Sequence, residues 1–259
     1  MLAQLRQHLL TLQRPAGIED GPGSLPLGIE TIDAALGGGL MRGALHEIAA
    51  AGEAHLAAAA GFAVTLSTLG SAAWTPSPRM RGEGHLIWLA EDMALAESGA
   101  LYGPGLMDLA LAPERLLSVA VAQRRDLLWA MEEALRCRAV CAVIGELRHG
   151  ALDMVAVRRL SLAAAEGGAL ALLLRASSGD DASTAVTRWV VGAAPSSPFP
   201  GGGGEERRPR FAARLVRNRR GPLGAWILEW SDRDERFELA THAQPLAAPA
   251  LHRPHRQVA

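Results

Sequence analysis

The chain has 259 residues, of which 49% are hydrophobic, so it is long enough to bury a sizeable core. Its formal net charge of −1 excludes a strong overall electrostatic attraction to nucleic acid. All 26 basic residues are arginine. Any mechanism that needs a lysine ammonium, including the lysine of a phosphate-binding loop, is therefore excluded as well.

The two ends of the chain differ in composition from its middle. Leucines at helical spacing near the start, followed by a Gly/Pro-rich stretch, predict an N-terminal helix and linker over residues 1–23. Residues 241–259 are rich in Pro, His and Arg without periodicity, which predicts a disordered tail. A core domain over residues 24–240 lies between them. No apolar run of about 18 residues is free of charges and of Gly or Pro breaks, so we expect no membrane span and a cytoplasmic protein.

Uncharged apolar segments alternate with helical patterns through most of this core. In chain order, the patterns predict a short helix at 29–36, a strand at 44–49, a helix at 53–69, a strand at 85–90, a helical segment at 91–112, a strand at 115–121, a helix at 123–137, a strand at 139–145, a helix at 152–168 and a strand at 169–176. This alternation is typical of a parallel sheet covered by helices on both faces. A Pro/Gly/Ser-rich loop follows at 192–209. Two strands joined at Arg220-Gly221-Pro222 then predict a late antiparallel hairpin.

Three stretches resemble the RecA/RadA superfamily and occur in the same order as in its members. They are "LPLGIETIDAALGGGLMRGALHEI", the segment from Gly84 to Leu147, and "PRFAARLVRNRRGPLGAWILEW". The resemblance spans residues 24–240. It implies an α/β fold with a RecA-like three-layer α/β/α core and a mostly parallel sheet.

Within that superfamily the chain resembles the ImuA family, because it lacks a phosphate-binding loop, has short loops where RecA binds DNA, and ends its core in an arginine-rich stretch. The resemblance implies a role in SOS-inducible, error-prone translesion DNA synthesis beside an ImuB-like Y-family polymerase relative. RecA and an error-prone replicative-type polymerase are further partners that it implies. The alternatives are an active DNA-dependent ATPase of RecA/RadA type with an unusual phosphate site, and an SOS cell-division inhibitor.

The stretch "GALHEIAAAGEAHLAAAAGF", residues 43–62, stands where the superfamily has its phosphate-binding loop. In this alignment Ala50 and His55 take glycine positions, Leu56 takes the lysine position and Ala57 takes the Ser/Thr position. Glycines let backbone N–H groups converge on phosphate, lysine neutralises it, and the hydroxyl holds Mg²⁺. The sequence therefore predicts a phosphate site that has lost its chemistry, and no nucleotide cofactor.

Two carboxylates remain at strand ends that the superfamily uses for catalysis. Gly145 takes the position of the aspartate on the Mg²⁺ side, and Glu146 follows it. Glu91 lies where the resemblance places the glutamate that activates the attacking water. The other interpretation of both carboxylates is helix capping. We predict no catalytic residue, no metal site and no enzyme activity, and a protein that acts by binding other proteins.

Seven arginines form a basic cluster near the end of the core. They are Arg207, Arg208, Arg210, Arg214, Arg217, Arg219 and Arg220. This cluster is the candidate contact for DNA or for an acidic partner, since arginine binds backbone phosphates. The other interpretation is a charged strand edge that discourages aggregation. Strict alternation along a strand predicts Arg214 on one face and Arg217 and Arg219 on the other.

Overall fold

The computed structural model describes residues 23–72, 84–150, 152–179, 183–195 and 208–240. The predicted N-terminal helix, the predicted tail and Arg207 lie outside these residues.

Strands and helices follow each other along the described residues in an order close to the predicted one. The strands are β1 (Ser24–Leu25), β2 (Leu40–Met41), β3 (Leu45–Ala50), β4 (His85–Glu91), β5 (Leu116–Val121), β6 (Val140–Glu146), β7 (Leu170–Arg175), β8 (Thr187–Ala193), β9 (Arg210–Asn218), β10 (Gly224–Ser231) and β11 (Arg236–Leu239). The α-helices are α1 (Glu30–Leu36), α2 (Leu56–Ala72), α3 (Asp92–Ser98), α4 (Gly103–Met107), α5 (Arg124–Arg136) and α6 (Met154–Gly167). Single 3₁₀ turns lie at Glu53–His55 and Pro113–Arg115.

One mixed sheet of nine strands, in the order β11-β10-β9-β8-β3-β7-β6-β4-β5, organises the molecule. The strands from β5 across to β8 run parallel. The pairs β8–β9, β9–β10 and β10–β11 are antiparallel. Helix α2 covers one face, and α5 and α6 pack together on the other. The predicted α/β fold, with a mostly parallel sheet between helices and a late antiparallel hairpin, is confirmed and is consistent with a RecA-like core.

Burial explains the apolar composition of the central elements. Every residue of β3 and of β6 is buried, as expected for parallel strands that are covered on both faces. The helical stretch Glu53–Ala72 is long and apolar enough to cross a membrane by length and composition alone. It packs against β3, β6, β7 and β8, which is the position of a core helix.

The structure differs from the sequence prediction in several elements. The two-residue strands β1 and β2, which pair with each other, were not predicted. Strand β8 was not predicted, although it lies between β3 and β9 in the sheet, and the short strand β11 was not predicted either. The helical segment at 91–112 is divided into α3 and α4. Gly99 ends α3 with a φ of 76°, a left-handed value that favours glycine, and Pro104 lies in the first turn of α4, where its missing N–H costs nothing.

His46 of β3 is completely buried and held as a neutral imidazole. Its Nε2 lies 2.8 Å from the carbonyl oxygen of Met41, which can only accept, so Nε2 carries the proton. Its Nδ1 lies 2.8 Å from Oγ1 of Thr187, whose hydroxyl therefore donates. Burial is the main cause that lowers the pKa of His46, to about 4; the bond to Met41 opposes this shift and the charge of Arg220 adds to it.

We expect the free energy of unfolding to decrease as the pH is lowered from 6.5 to about 4, because of His46. An unfolded histidine binds its proton near pH 6.5, whereas folded His46 resists it until about pH 4. The contribution is thus fully present above pH 6.5 and is lost as the pH falls through the folded pKa, by about 3 kcal/mol in total. Urea unfolding of the parent and of His46→Gln at neutral and acidic pH measures this. The stability difference between the two proteins should shrink at acidic pH, and an equal pH dependence in both would contradict the prediction.

Candidate functional site: an apolar cavity at the carboxyl edge of the sheet

The segment predicted to be a lost phosphate-binding loop is a short turn from β3 into a helix. The 3₁₀ turn that begins at Glu53 runs directly into α2. The N–H of Ala51 donates to the carbonyl of Val191 at 2.8 Å, and the N–H of His55 donates to the carbonyl of Gly52 at 2.9 Å. Glu53 lies in the first helical turn, where the helix dipole favours negative charge. The first turn, whose dipole attracts anions, thus carries a carboxylate of the protein itself.

His55, at a predicted glycine position, connects this turn to the neighbouring strand. Its Nδ1 accepts a hydrogen bond of 3.1 Å from the backbone N–H of Ala193, at the end of β8. The ring is partly buried. Its role here is to hold the turn against the sheet.

A cavity of about 850 Å³ opens beside the turn, between α2 and the segment that carries α3 and α4. Leu56 and Ala57, which stand at the lysine and Ser/Thr positions of the alignment, form part of its wall. The rest of the wall is largely apolar and includes Val64, Trp88, Leu95, Leu101, Leu106 and Leu109. The two positions that the alignment gives to the lysine and the Ser/Thr therefore present apolar side chains to a largely apolar wall.

A buried ion pair lies at the inner end of the cavity. Glu146, at the end of β6, is 5% exposed and accepts hydrogen bonds from Nε1 of Trp88 at 3.2 Å and from Nε of Arg148 at 2.7 Å. Arg148 also donates to Glu97 at 3.0 Å. Both charges are therefore compensated within the protein. Sequence reasoning missed Arg148, although its position two residues after a carboxylate at a strand end was a usable signal.

The strand pleat determines which of the two neighbouring residues on β6 faces the cavity. A Cβ atom on Gly145 would lie 2.6 Å from Sδ of Met131 on α5, so position 145 faces the opposite side of the sheet. Because successive residues of a strand point to opposite faces, Glu146 faces the cavity. An aspartate at position 145 would point into the α5 side of the core.

Glu91 and Glu146 end neighbouring strands but lie on opposite faces of the sheet. Glu91 lies two residues after Leu89 on β4 and so faces the same side, and Leu89 belongs to the core on the α5 side. Nε of Arg124 on α5 lies 3.9 Å from the Glu91 carboxylate. The sequence places both carboxylates at one edge, and the pleat separates them. In the described part of the chain, no three His, Cys, Asp or Glu side chains are grouped as metal ligands would be.

Two arginines of the basic cluster are engaged in ion pairs on the last strands. Nε of Arg210 is 2.5 Å from Glu229, and only 8% of the Arg210 side chain is exposed. Arg208 lies 3.3 Å from Glu238 and 3.7 Å from Glu229. These pairs link β9 and the residues just before it to β10 and β11, and they neutralise this end of the cluster.

Two more arginines of the cluster bind backbone carbonyls. Arg219 donates to the carbonyl of Ser183 at 2.9 Å, and Arg220 donates to the carbonyl of Gly37 at 3.0 Å. Both bonds attach the β9–β10 connection to distant parts of the core. Much of this predicted contact surface therefore has an internal structural role.

Strict alternation does not hold between Arg214 and Arg217, because the β8–β9 register shifts next to Arg188. Arg217 lies opposite Arg188 and Arg214 lies opposite Val190, so the shift brings both arginines to one face. Burial, together with the charges of Arg219 and Arg188, lowers the pKa of Arg217. The predicted separation of Arg214 from Arg217 is thus wrong, and the physical reason is the β-bulge.

Comparison with known proteins gives one consistent result. No family model matches the chain. The protein named ImuA in two strains of Caulobacter vibrioides, NA1000 and CB 15, is 32% identical to it over 217 residues. The match covers 79% of this chain and 82% of each relative. At this identity and coverage, the chain belongs to the ImuA family.

Proposed function

We propose that this chain is a non-hydrolytic adaptor with a RecA-like core in SOS-inducible, error-prone translesion DNA synthesis. It acts through protein–protein contacts in the cytoplasm, with an ImuB-like relative of the Y-family polymerases as its main partner. RecA and an error-prone replicative-type polymerase are further partners in this proposal. Membership of the ImuA family supports the placement in a mutagenic lesion-bypass system.

The cavity is the observation that carries the non-hydrolytic part of the proposal. Leu56 and Ala57 supply neither the positive charge nor the hydroxyl that a bound triphosphate and its Mg²⁺ need. Arg148, the arginine in its wall, is bonded to two carboxylates. Glu53 adds negative charge at the helix start, where a phosphate would have to lie. These features oppose binding of a nucleotide and favour an apolar ligand.

We expect no DNA-stimulated ATP hydrolysis by the purified full-length chain. The assay measures phosphate release with Mg²⁺ and single-stranded DNA, and Glu91→Gln is the matched variant because Glu91 holds the position of the water-activating glutamate. The parent and the variant should give the same background rate. Turnover in the parent that is abolished in Glu91→Gln would contradict the proposal and support the ATPase alternative.

The partner is tested separately with purified proteins. The chain should co-purify with the ImuB-like protein and should not retain the cell-division GTPase. Retention of the GTPase without the ImuB-like protein would support the division-inhibitor alternative.

A further inference from the structure

The outer wall of the cavity is acidic as well as apolar. On the outer side Glu97 lines the cavity, and Asp92 and Asp108 are exposed on the same segment, which has no arginine, lysine or histidine from residue 92 to residue 114. Glu53 adds a carboxylate from the α2 side. Arg148 and His149 also line the cavity. Arg148 is bonded to both Glu97 and Glu146, so its single charge faces two carboxylates and leaves the wall acidic. The mouth of the cavity therefore attracts cationic groups and repels phosphate.

Helices α3 and α4, which lie in the outer segment, also expose large apolar side chains. Met93 on α3 is 69% exposed, Tyr102 at the start of α4 is 73% exposed, and Met107 on α4 is 57% exposed. Tyr102 also lines the cavity. Exposed apolar groups beside polar ones mark interaction surfaces, and methionine adapts to irregular partners. Tyr102 therefore joins the cavity wall to the exposed surface, and Met93 and Met107 add exposed apolar side chains on α3 and α4.

We propose that this cavity binds a basic amphipathic helix from a protein partner. Apolar side chains of that helix enter between α2 and the α3–α4 segment. Its arginines or lysines face the acidic rim, which contains Glu53 and Glu97. The inference rests on the proposed adaptor function, for which it names a contact site and the chemistry of the segment that binds there.

The shape of the site favours a helix over an extended strand. Apart from Trp88 of β4 and Glu146 of β6, which are inner strands of the sheet, the cavity walls are helices and loops. The backbone groups of a helix interior are already bonded within the helix. Such walls offer no row of open N–H and C=O groups for strand addition. A volume of about 850 Å³ accommodates several side chains, as a helix presents from positions three, four and seven residues apart.

The test uses the full-length chain and two labelled synthetic peptides of about 18 residues, or five helical turns. Both carry leucine at the same helical spacing; one has arginine at the remaining charged positions and the other has glutamate. Fluorescence anisotropy should show saturable binding of the arginine peptide and at least about tenfold weaker binding of the glutamate peptide, the effect of a rim that attracts one charge and repels the other. Equal binding of both peptides, or binding of neither, would overturn the inference.

Location is tested with Ala57→Arg and the matched control Ala165→Arg. Both alanines are exposed helical positions, but Ala57 lies in the cavity wall and Ala165 lies on α6, across the sheet. Ala57→Arg should lower the affinity for the arginine peptide at least about tenfold, as a substitution at the centre of an interface does. Ala165→Arg should leave that affinity unchanged. Thermal unfolding of both variants checks that they fold. Parent-like affinity in folded Ala57→Arg would overturn the inference.

The chain's own leucine-rich start is the competing occupant. The double variant Leu5→Asp with Leu9→Asp of the full-length chain tests this. If the arginine peptide binds to the double variant but not to the parent, the N-terminal residues fill the cavity and the proposal of an external partner is wrong. Hydrolysis and co-purification are measured independently of the peptides. Loss of peptide binding together with retained co-purification therefore overturns this inference alone, whereas Glu91-dependent hydrolysis overturns the proposed function.

Discussion

Replacing Arg148 with methionine is expected to lower the free energy of unfolding by about 3–5 kcal/mol, the usual cost of leaving a buried charge without its partner. Glu146 is 5% exposed, and Arg148 supplies its opposite charge at 2.7 Å. The bond of Arg148 to Glu97 adds little, since Glu97 is half exposed and water screens that pair. Urea unfolding followed by circular dichroism measures the loss.

The matched control is the double variant Glu146→Gln with Arg148→Met. It removes the buried charge together with its partner, so it should recover most of the stability that Arg148→Met loses. The side-chain amide introduced by Glu146→Gln can still accept the hydrogen bond from Trp88. A double variant as unstable as Arg148→Met would mean that the uncompensated carboxylate is not the cause.

Placing an aspartate at position 145, where the alignment has the Mg²⁺-side carboxylate, is expected to destabilise the fold by about 3–5 kcal/mol without creating ATPase activity. The position faces α5, where Sδ of Met131 lies 2.6 Å and Cδ2 of Leu127 lies 3.5 Å from the site of a new Cβ. Gly145→Asp would therefore overpack this core and bury a carboxylate among apolar side chains. Chemical unfolding and the hydrolysis assay measure the two outcomes.

Gly145→Ala separates the effect of size from that of charge. Its Cβ meets the flexible end of Met131, which can move, so we expect a loss of about 1–3 kcal/mol. The further loss in Gly145→Asp then reports the buried carboxylate. Parent-like stability in Gly145→Asp would show that position 145 does not face α5 as the structure has it.

The layered α/β/α architecture could be predicted because it follows from the apolar pattern within each strand and helix. A strand such as β6, uncharged along most of its length, is stable only where helices cover both of its faces, and the neighbouring helical patterns supply that cover. Strand β8 escaped prediction because Arg188 interrupts its apolar run. The charge is compensated by a hydrogen-bonded ion pair with Glu47 on β3, far away in sequence. No pattern within β8 reveals that partner.

The lack of a lysine for a phosphate-binding loop is visible in the sequence by itself, since no rearrangement of the chain can supply a residue that it lacks. The tertiary structure alone decided what surrounds those positions. The sheet register sets Glu146 beside Ala90 and turns it toward α2, while Glu91 turns toward α5. Arg148 then neutralises Glu146, and α3 and α4 enclose an apolar cavity with an acidic rim. These features depend on which residues meet across strands and helices, and that follows from register and packing rather than from any local pattern.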